Sequence, residues 1–202
     1  MLQTLDLAEN SLSGTIPDVL TAMTNLTFFD VERNFLAGQP IVNLAGLDNL
    51  ESYHVSLNQF SGTIDSSIGS ITSLRELWMA SNKLSGTIPV EIGQLTNLQT
   101  LYLYGNGLSG NIPDIFAGTE LTQIQLHENI LSGILPSSLF MSTNLSLLRL
   151  DQNKLTGTIP SSISSLVALA DLRISQNSFS GTLPASLTSL SGLGTCRLCK
   201  WI

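Results

Sequence analysis

Charged and aromatic side chains in this sequence recur at a spacing of 24 residues, with one step of 23. A central column contains Asp6, Asp30, His54, Trp78, Tyr102, Gln125, Arg149 and Arg173, and a trailing column contains Ala8, Glu32, Ser56, Ala80, Tyr104, His127, Asp151 and Ser175. Carboxylates can bind a base, aromatic rings can stack on a sugar or an apolar side chain, and arginines can bind a carboxylate. The order of these groups favours recognition of a ligand.

Catalytic arrangements are less compatible with this spacing. His54 and His127 lie three repeats apart, about 14 Å at the strand spacing of a sheet, so they can neither share a metal nor serve one nucleophile. The best acid pair is Asp6 and Asp30, with Glu32 nearby, at the separation of about 5 Å that suits a retaining glycosidase. An open sheet has no cleft to desolvate one carboxyl group and raise its pKa. We therefore expect no enzyme activity, no metal site and no cofactor.

A repeated unit must position these columns. Asparagine recurs with the same period, a glycine follows each asparagine by four residues, and all seven prolines come shortly after these glycines. Within one unit, apolar residues at Leu77 and Met79 alternate with polar ones, as in a short strand with one buried face. Ile92, Leu95 and Leu98 are spaced by three, which predicts a 3₁₀ or helical turn. Each unit has one apolar face that only a stacked neighbour can bury.

This pattern, LxxLxLxxNxLSGxIPxxLxxLxxL, resembles the plant-type leucine-rich repeat, and Leu-Ser-Gly-Thr-Ile-Pro occurs at Leu12–Pro17 and Leu84–Pro89. Eight repeats cover residues 1–193, and residues 194–202 form a partial carboxy-terminal cap or ninth repeat. The resemblance implies an α/β solenoid: a right-handed, curved superhelix with a parallel sheet on its concave face, 3₁₀ or short helical turns outside, and a second small sheet. Receptor-kinase ectodomains, receptor-like proteins and polygalacturonase inhibitors are similar, which implies an extracellular or cell-surface location.

Three repeats and both ends depart from the pattern. Proline and isoleucine are exchanged at Pro40 and Ile41, Asp65 replaces a proline, and the fifth repeat is one residue short. We expect small irregularities on the outer side and an intact strand register. The chain begins inside a repeat, without the cysteine-bearing cap that the resemblance implies, so we expect it to be a piece of a longer protein. Cys196 falls at a core position and Cys199 on the concave side, and we expect free or cap-paired thiols.

Composition limits the partners. Only 11% of the residues are charged and the net charge is −7, so neither a nucleic acid nor an anionic membrane surface is the expected partner. No apolar run approaches the roughly 18 residues that span a bilayer. Two glycosylation sequons, Asn25-Leu-Thr27 and Asn144-Leu-Ser146, start at the same point of their repeats, where an outward glycan is feasible.

The sequence therefore predicts a non-catalytic module that binds a peptide, a protein or an oligosaccharide on its concave face. The expected contacts are His54, Trp78, Tyr102, Tyr104, His127, Asp30, Glu32, Arg149 and Arg173. One alternative is that the aromatic rings only pack against each other across strands. Another is a surface that binds ice, formed by an interrupted ladder of Ser and Thr in the Ser-Gly-Thr segments. A purely structural or adhesive array is the third.

Overall fold

The computed structural model describes residues 2–40, 44 and 46–198. The repeats form a curved solenoid, and its concave face is one sheet of nine parallel strands, taken in chain order. These strands are β1 (Thr4–Asp6), β3 (Phe28–Asp30), β5 (Ser52–His54), β7 (Glu76–Trp78), β9 (Thr100–Tyr102), β11 (Gln123–Gln125), β13 (Leu147–Arg149), β15 (Asp171–Arg173) and β17 (Thr195–Arg197). Each strand from β3 to β15 has a buried central residue, which explains why the Leu-x-Leu part of the repeat becomes the strand.

The Ser-Gly segments form the predicted second sheet, divided in two. One sheet contains β2 (Ser13–Gly14), β4 (Phe35–Gly38), β6 (Gln59–Gly62) and β8 (Lys83–Leu84); the other contains β10 (Ser109–Asn111), β12 (Ile130–Gly133), β14 (Lys154–Gly157) and β16 (Ser178–Phe179). A single bridge between Thr87 and Ser109 joins them. The flank is therefore less regular than the concave sheet.

Short 3₁₀ helices lie on the outer side, as the spacing of three predicts. They are η1 (Asp18–Ala22), η2 (Ser66–Ser70), η3 (Val90–Gln94), η4 (Ser137–Met141), η5 (Ser161–Ser165) and η6 (Ala185–Ser189). Five of them follow a proline, and η2 follows Asp65, whose carboxylate accepts a hydrogen bond from Ser67 N at 2.8 Å and caps the helix instead. The short fifth repeat has no helix between β10 and β11. Ile41 of the exchanged pair lies outside the described residues.

Aliphatic side chains from every coil form one continuous core. Leu77, Leu101, Ile124 and Leu148 are neighbours in the register of the concave sheet and are fully buried. The register stays continuous through the short fifth repeat, where Ile124 pairs with Leu101 on one side and Leu148 on the other. The fifth repeat therefore leaves the strand register of the concave sheet intact, as expected.

The repeated asparagines join adjacent coils. Asn34 Nδ2 donates to Leu7 O of the preceding coil at 2.9 Å and to Val31 O of its own coil at 3.1 Å, while its Oδ1 accepts from Leu12 N at 2.8 Å. An amide is suited to this place because it donates and accepts at once.

Backbone conformation at the residue before each asparagine was not evident from the sequence. Its φ is positive even where it is not glycine, for example 55° at Arg33 and 52° at Ser81. A left-handed residue costs roughly 1–2 kcal/mol. The bend of the chain requires this conformation, and the side-chain hydrogen bonds of the next residue, the asparagine, stabilise the bend.

The last described strand, β17, is the ninth strand of the concave sheet. Cys196 lies opposite Leu172 in the buried column, as predicted, yet its side chain is exposed because no described coil covers it. Partial burial raises the pKa of this thiol. Cys199 lies outside the described residues.

Candidate functional site

The concave face presents three columns of side chains rather than the two predicted. Strand register aligns the central column as expected and extends it to Arg197. A leading column lies on the same face, two residues before the central column on each strand. It contains Thr4, Phe28, Ser52, Glu76, Thr100, Gln123, Leu147, Asp171 and Thr195. The alternation of side chains along a strand, applied two residues earlier, would have identified it.

His54 lies under the surface, between two carboxylates. Its side chain is only 5% exposed; Nδ1 is 3.3 Å from Asp30 Oδ2 and Nε2 is 2.8 Å from Glu76 Oε2. Asp30 Oδ1 also accepts a hydrogen bond from Glu32 N at 2.7 Å. These contacts occupy both ring nitrogens of His54, and little of its surface or that of Asp30 is exposed; whether the two residues contact a ligand stays a prediction. Glu76, which completes this arrangement, belongs to the leading column that the sequence reasoning missed.

A row of aromatic rings covers this histidine. The rings of His54 and Trp78 stack with centroids 3.8 Å apart, and those of Trp78 and Tyr102 with centroids 5.2 Å apart. Trp78 Nε1 donates to Thr100 Oγ1 at 2.8 Å, and the Tyr102 hydroxyl donates to the side chain of Gln123. The rings do pack against each other across strands, as in the first alternative interpretation given above. Trp78 and Tyr102 are nevertheless only half-buried, so ring surface remains for a ligand.

A second stack lies in the trailing column. Tyr104 and His127 are parallel with centroids 4.5 Å apart, and both are half-buried. Burial is the largest cause that lowers the pKa of His127; Asp151 and Glu128 oppose it, whereas Arg149 and Arg173 act in the same direction. Burial also raises the pKa of Tyr104. Unlike His54, His127 has no partner for its buried Nδ1 atom.

Two arginines share one carboxylate at the carboxy-terminal end of the site. Arg149 Nη2 donates to Asp171 Oδ2 at 3.0 Å, and Arg173 Nε donates to Asp171 Oδ1 at 3.1 Å. Burial raises the pKa of Asp171, but the hydrogen bonds and charges of both arginines outweigh it and lower that pKa overall. Because two cations face one anion, the cluster keeps a net positive charge. The exposed Arg197 follows it in the central column.

The amino-terminal end of the face is acidic. Asp6 and Asp30 are register neighbours, as predicted. Glu32 is partly exposed, with Arg33 Nε at 3.6 Å from its Oε1. No group of three His, Cys, Asp or Glu residues that could hold a metal ion occurs within the described residues. A separate apolar cavity of about 230 Å³, lined by residues including Leu5, Leu12 and Ile16, lies at this end of the core.

Several hydroxyls on the flank donate hydrogen bonds within the protein. Ser85, Ser109 and Ser180 each donate to the carbonyl of a glycine in the preceding coil, at 3.1–3.3 Å. Among the sequon asparagines, Asn144 is exposed and Asn25 is half-buried. No helix among the described residues is long and apolar enough to cross a membrane.

Comparisons with known proteins agree with this geometry. Two leucine-rich-repeat family models match residues 72–118 and residues 1–23, 144–166 and 168–190, together more than half of the chain. A search of the curated proteins gave no match.

Solved structures are similar over nearly the whole chain. The crystal structure of a TDR receptor is 32% identical, with a TM-score of 0.92, over 98% of this chain and 34% of that one. The Arabidopsis receptor kinase HAESA ectodomain, in complex with a peptide hormone ligand, is 32% identical over 97% of this chain and 34% of that one, with a TM-score of 0.85. A plant ice-binding protein, 23% identical with a TM-score of 0.73 over 98% of this chain and 73% of that one, shares the fold. This chain thus spans about a third of the two receptor chains.

Proposed function

The chain belongs to the leucine-rich-repeat family, with repeats of the plant type, and we propose that it is a non-catalytic recognition module that binds an extended peptide along its concave sheet. One observation carries this proposal: on the same column, a single strand that carries Gln125 separates the half-exposed aromatic rings from two arginines that share a carboxylate. Trp78 and Tyr102 offer ring surface to an apolar side chain, and Arg149 and Arg173 offer charge to a carboxylate. Similarity to a receptor ectodomain crystallised with a peptide hormone supports a peptide over an oligosaccharide.

The length of the surface suits a peptide. Nine strands about 4.8 Å apart make a face about 38 Å long, which an extended peptide of about twelve residues would span. The acidic end, at Asp6 and Glu32, would attract a basic residue of that peptide. The aromatic rings at the centre of the face would supply most of the binding free energy, because Trp and Tyr are enriched among the residues that contribute most to binding at interfaces.

Selection of peptides on the purified chain tests this function. A phage library of random 12-residue peptides should yield binders whose affinity falls at least about tenfold for Trp78→Ala, the loss typical of an important interface residue. Arg149→Ala should weaken binding of peptides that carry a carboxylate near the matching end. Val167→Ala is the matched control, because Val167 is 69% exposed on the outer side and should leave affinity unchanged. Peptides whose affinity is unchanged by Trp78→Ala and by Tyr102→Ala would contradict a binding site on the concave face.

An extracellular location belongs to the same proposal. Asn144 is exposed, so we expect a glycan there when the chain is secreted by a eukaryotic cell. The half-buried Asn25 should be modified less completely. Intact mass before and after removal of N-glycans measures both, with Asn144→Gln as the control; an unmodified Asn144 in secreted protein would contradict the assignment.

Ice binding remains the alternative function, and the flank sheet does not favour it. Ice recognition from a ladder requires a regular array of free hydroxyls, whereas this sheet is divided and several of its serines donate to glycine carbonyls. The similarity to a plant ice-binding protein extends to the fold alone.

A further inference from the structure

One of the eight repeated asparagines is followed by a glycine. Asn106 precedes Gly107, whereas a residue with a side chain follows each of the other seven, for example Lys83 after Asn82. In an unfolded chain, the backbone nitrogen of the next residue can attack the side-chain amide carbon of an asparagine. Glycine permits this attack best, because it has no Cβ to obstruct it. Asn106 is therefore the repeated asparagine with the most reactive local sequence.

The folded coil holds both reacting groups in hydrogen bonds. Asn106 Oδ1 accepts from Leu84 N at 3.0 Å, and Gly107 N, the attacking nitrogen, donates to Leu84 O at 2.7 Å. Asn106 Nδ2, the leaving group, donates to Met79 O at 3.0 Å and to Leu103 O at 3.1 Å. The attack requires these bonds to break together, so the folded coil protects the amide.

From these contacts we propose that Asn106 is a site of spontaneous deamidation, which the folded chain blocks and unfolding permits. Gly107 N forms a bond to Asn106 Cγ, the bond from Cγ to Nδ2 breaks, and the hydrogen of Gly107 N leaves with Nδ2 as ammonia, which gives a cyclic succinimide. Water then adds to one carbonyl carbon of this ring and breaks its bond to the ring nitrogen, which regains a hydrogen. Attack at Cγ gives aspartate, and attack at the backbone carbon gives isoaspartate. This reaction is independent of the proposed function.

Neither product fits the folded coil. Asn106 Nδ2 lies within 3.3 Å of three backbone carbonyl oxygens, those of Met79, Leu103 and Tyr104. A carboxylate oxygen in its place accepts hydrogen bonds and cannot donate them, so it would face three acceptors. Isoaspartate also lengthens the main chain by one carbon atom between two strands of fixed register. Deamidation therefore makes an otherwise reversible unfolding event permanent.

Asn82 provides an internal control one coil earlier. Its Nδ2 donates to Val55 O at 3.0 Å and its Oδ1 accepts from Phe60 N at 3.0 Å, which is the arrangement found at Asn106. The next residue, however, is Lys83 instead of glycine. Folding should therefore protect both asparagines, and in the unfolded chain Asn106 should react first.

Incubation of the purified chain in mildly alkaline buffer, with and without concentrated guanidinium chloride, tests the inference. Peptide mapping by mass spectrometry measures the exchange of NH for O at each asparagine. In denaturant, Asn106 should convert before Asn82 does. Without denaturant, its conversion should be at least about a hundredfold slower, because it follows the small fraction of unfolded chains. Equal rates at Asn106 with and without denaturant, or equal rates at Asn106 and Asn82 in denaturant, overturn the inference.

Gly107→Ser is the matched variant. A Cβ at Gly107 would lie 3.1 Å from Leu84 O, which is close, but Lys83 and Ile130 occupy the same place in other coils. After longer incubation in denaturant, a decreasing fraction of the wild-type chain should refold, as measured by circular dichroism, whereas the refolded fraction of Gly107→Ser should stay constant. Each fraction is divided by that of the same chain refolded at once, so a less stable variant does not alter the comparison. Complete refolding of wild-type chains in which Asn106 has converted overturns the inference.

Discussion

The two histidines of the concave face have opposite environments. His54 is 5% exposed and contacts carboxylates through both ring nitrogens, whereas His127 is half-buried and its Nδ1 has no partner. Both rings stack on a neighbouring aromatic side chain. The difference teaches that residue type alone does not decide a side chain's environment: the coils beside His54 supply partners for both ring nitrogens, and those beside His127 leave Nδ1 unpaired.

Acidic and basic residues are also distributed unequally between the two halves of the chain. Residues 1–100 carry ten Asp or Glu and three Lys or Arg, whereas residues 101–202 carry five of each. His54 lies in the acidic half, where two carboxylates are at hand to satisfy it. His127 lies among groups of both signs, and burial, the largest cause, lowers its pKa; Arg149 and Arg173 act in the same direction, whereas Asp151 and Glu128 oppose it.

The largest expected effect that separates the two histidines is on stability. His54→Ala should lower the free energy of unfolding by about 3 kcal/mol, because it leaves Asp30 and Glu76, on the two strands that flank β5, without their shared partner. His127→Ala loses mainly a ring stack and should cost about 1 kcal/mol. Urea unfolding followed by circular dichroism measures both. Equal losses would contradict the idea that the two carboxylate contacts of His54 make it more important for stability than His127.

A smaller difference is expected between the two aromatic stacks. Trp78→Ala removes contacts with two rings and a hydrogen bond to Thr100, and should cost about 2 kcal/mol. Tyr104→Ala removes one ring contact and should cost about 1 kcal/mol. The same unfolding assay compares them, with Val167→Ala as an exposed control. If Tyr104→Ala lowered the free energy of unfolding more than Trp78→Ala, the stack in the trailing column would contribute more to stability than the stack in the central column, contrary to this prediction.

The smallest effect is on pH dependence. The pKa of His127 is lower in the folded chain than its ordinary value of 6.5, so the unfolded chain binds the proton first as the pH falls. Its contribution to stability is therefore present above 6.5 and declines as the pH drops from 6.5 toward the folded pKa. NMR titration of the ring protons should give a midpoint below 6.5 for His127, and a lower one still in Asp151→Asn, because Asp151 raises this pKa. A midpoint that rises in this variant would contradict the assigned electrostatics.

The repeat made most of the fold predictable. A period of 24 residues combined with strand alternation identified the buried column and the outer 3₁₀ turns, which the strand register and the helices confirm. The positive φ before each asparagine escaped prediction, since residues as different as Arg33 and Ser81 adopt it. Nothing in their side chains requires that conformation; the bend imposed by the stacked coils does.

The candidate site was predictable in its outline and not in its contacts. The central and trailing columns were placed correctly, but the leading column was overlooked, and with it Glu76 and Asp171. These two residues decide what their predicted neighbours contact. Glu76 is the second carboxylate beside His54, and Asp171 pairs with Arg149 and Arg173.

The sequence by itself determined the number of coils, the face of each side chain and the order of acidic, aromatic and basic groups, because these depend on two local periods, one of 24 residues and one of two. Only the tertiary structure decided which polar atoms find partners. His54 meets Glu76 on the next coil, 22 residues away in the chain, whereas His127 meets no partner for Nδ1. Such pairs depend on the distances between side chains of stacked coils, and a periodic pattern carries no record of those distances.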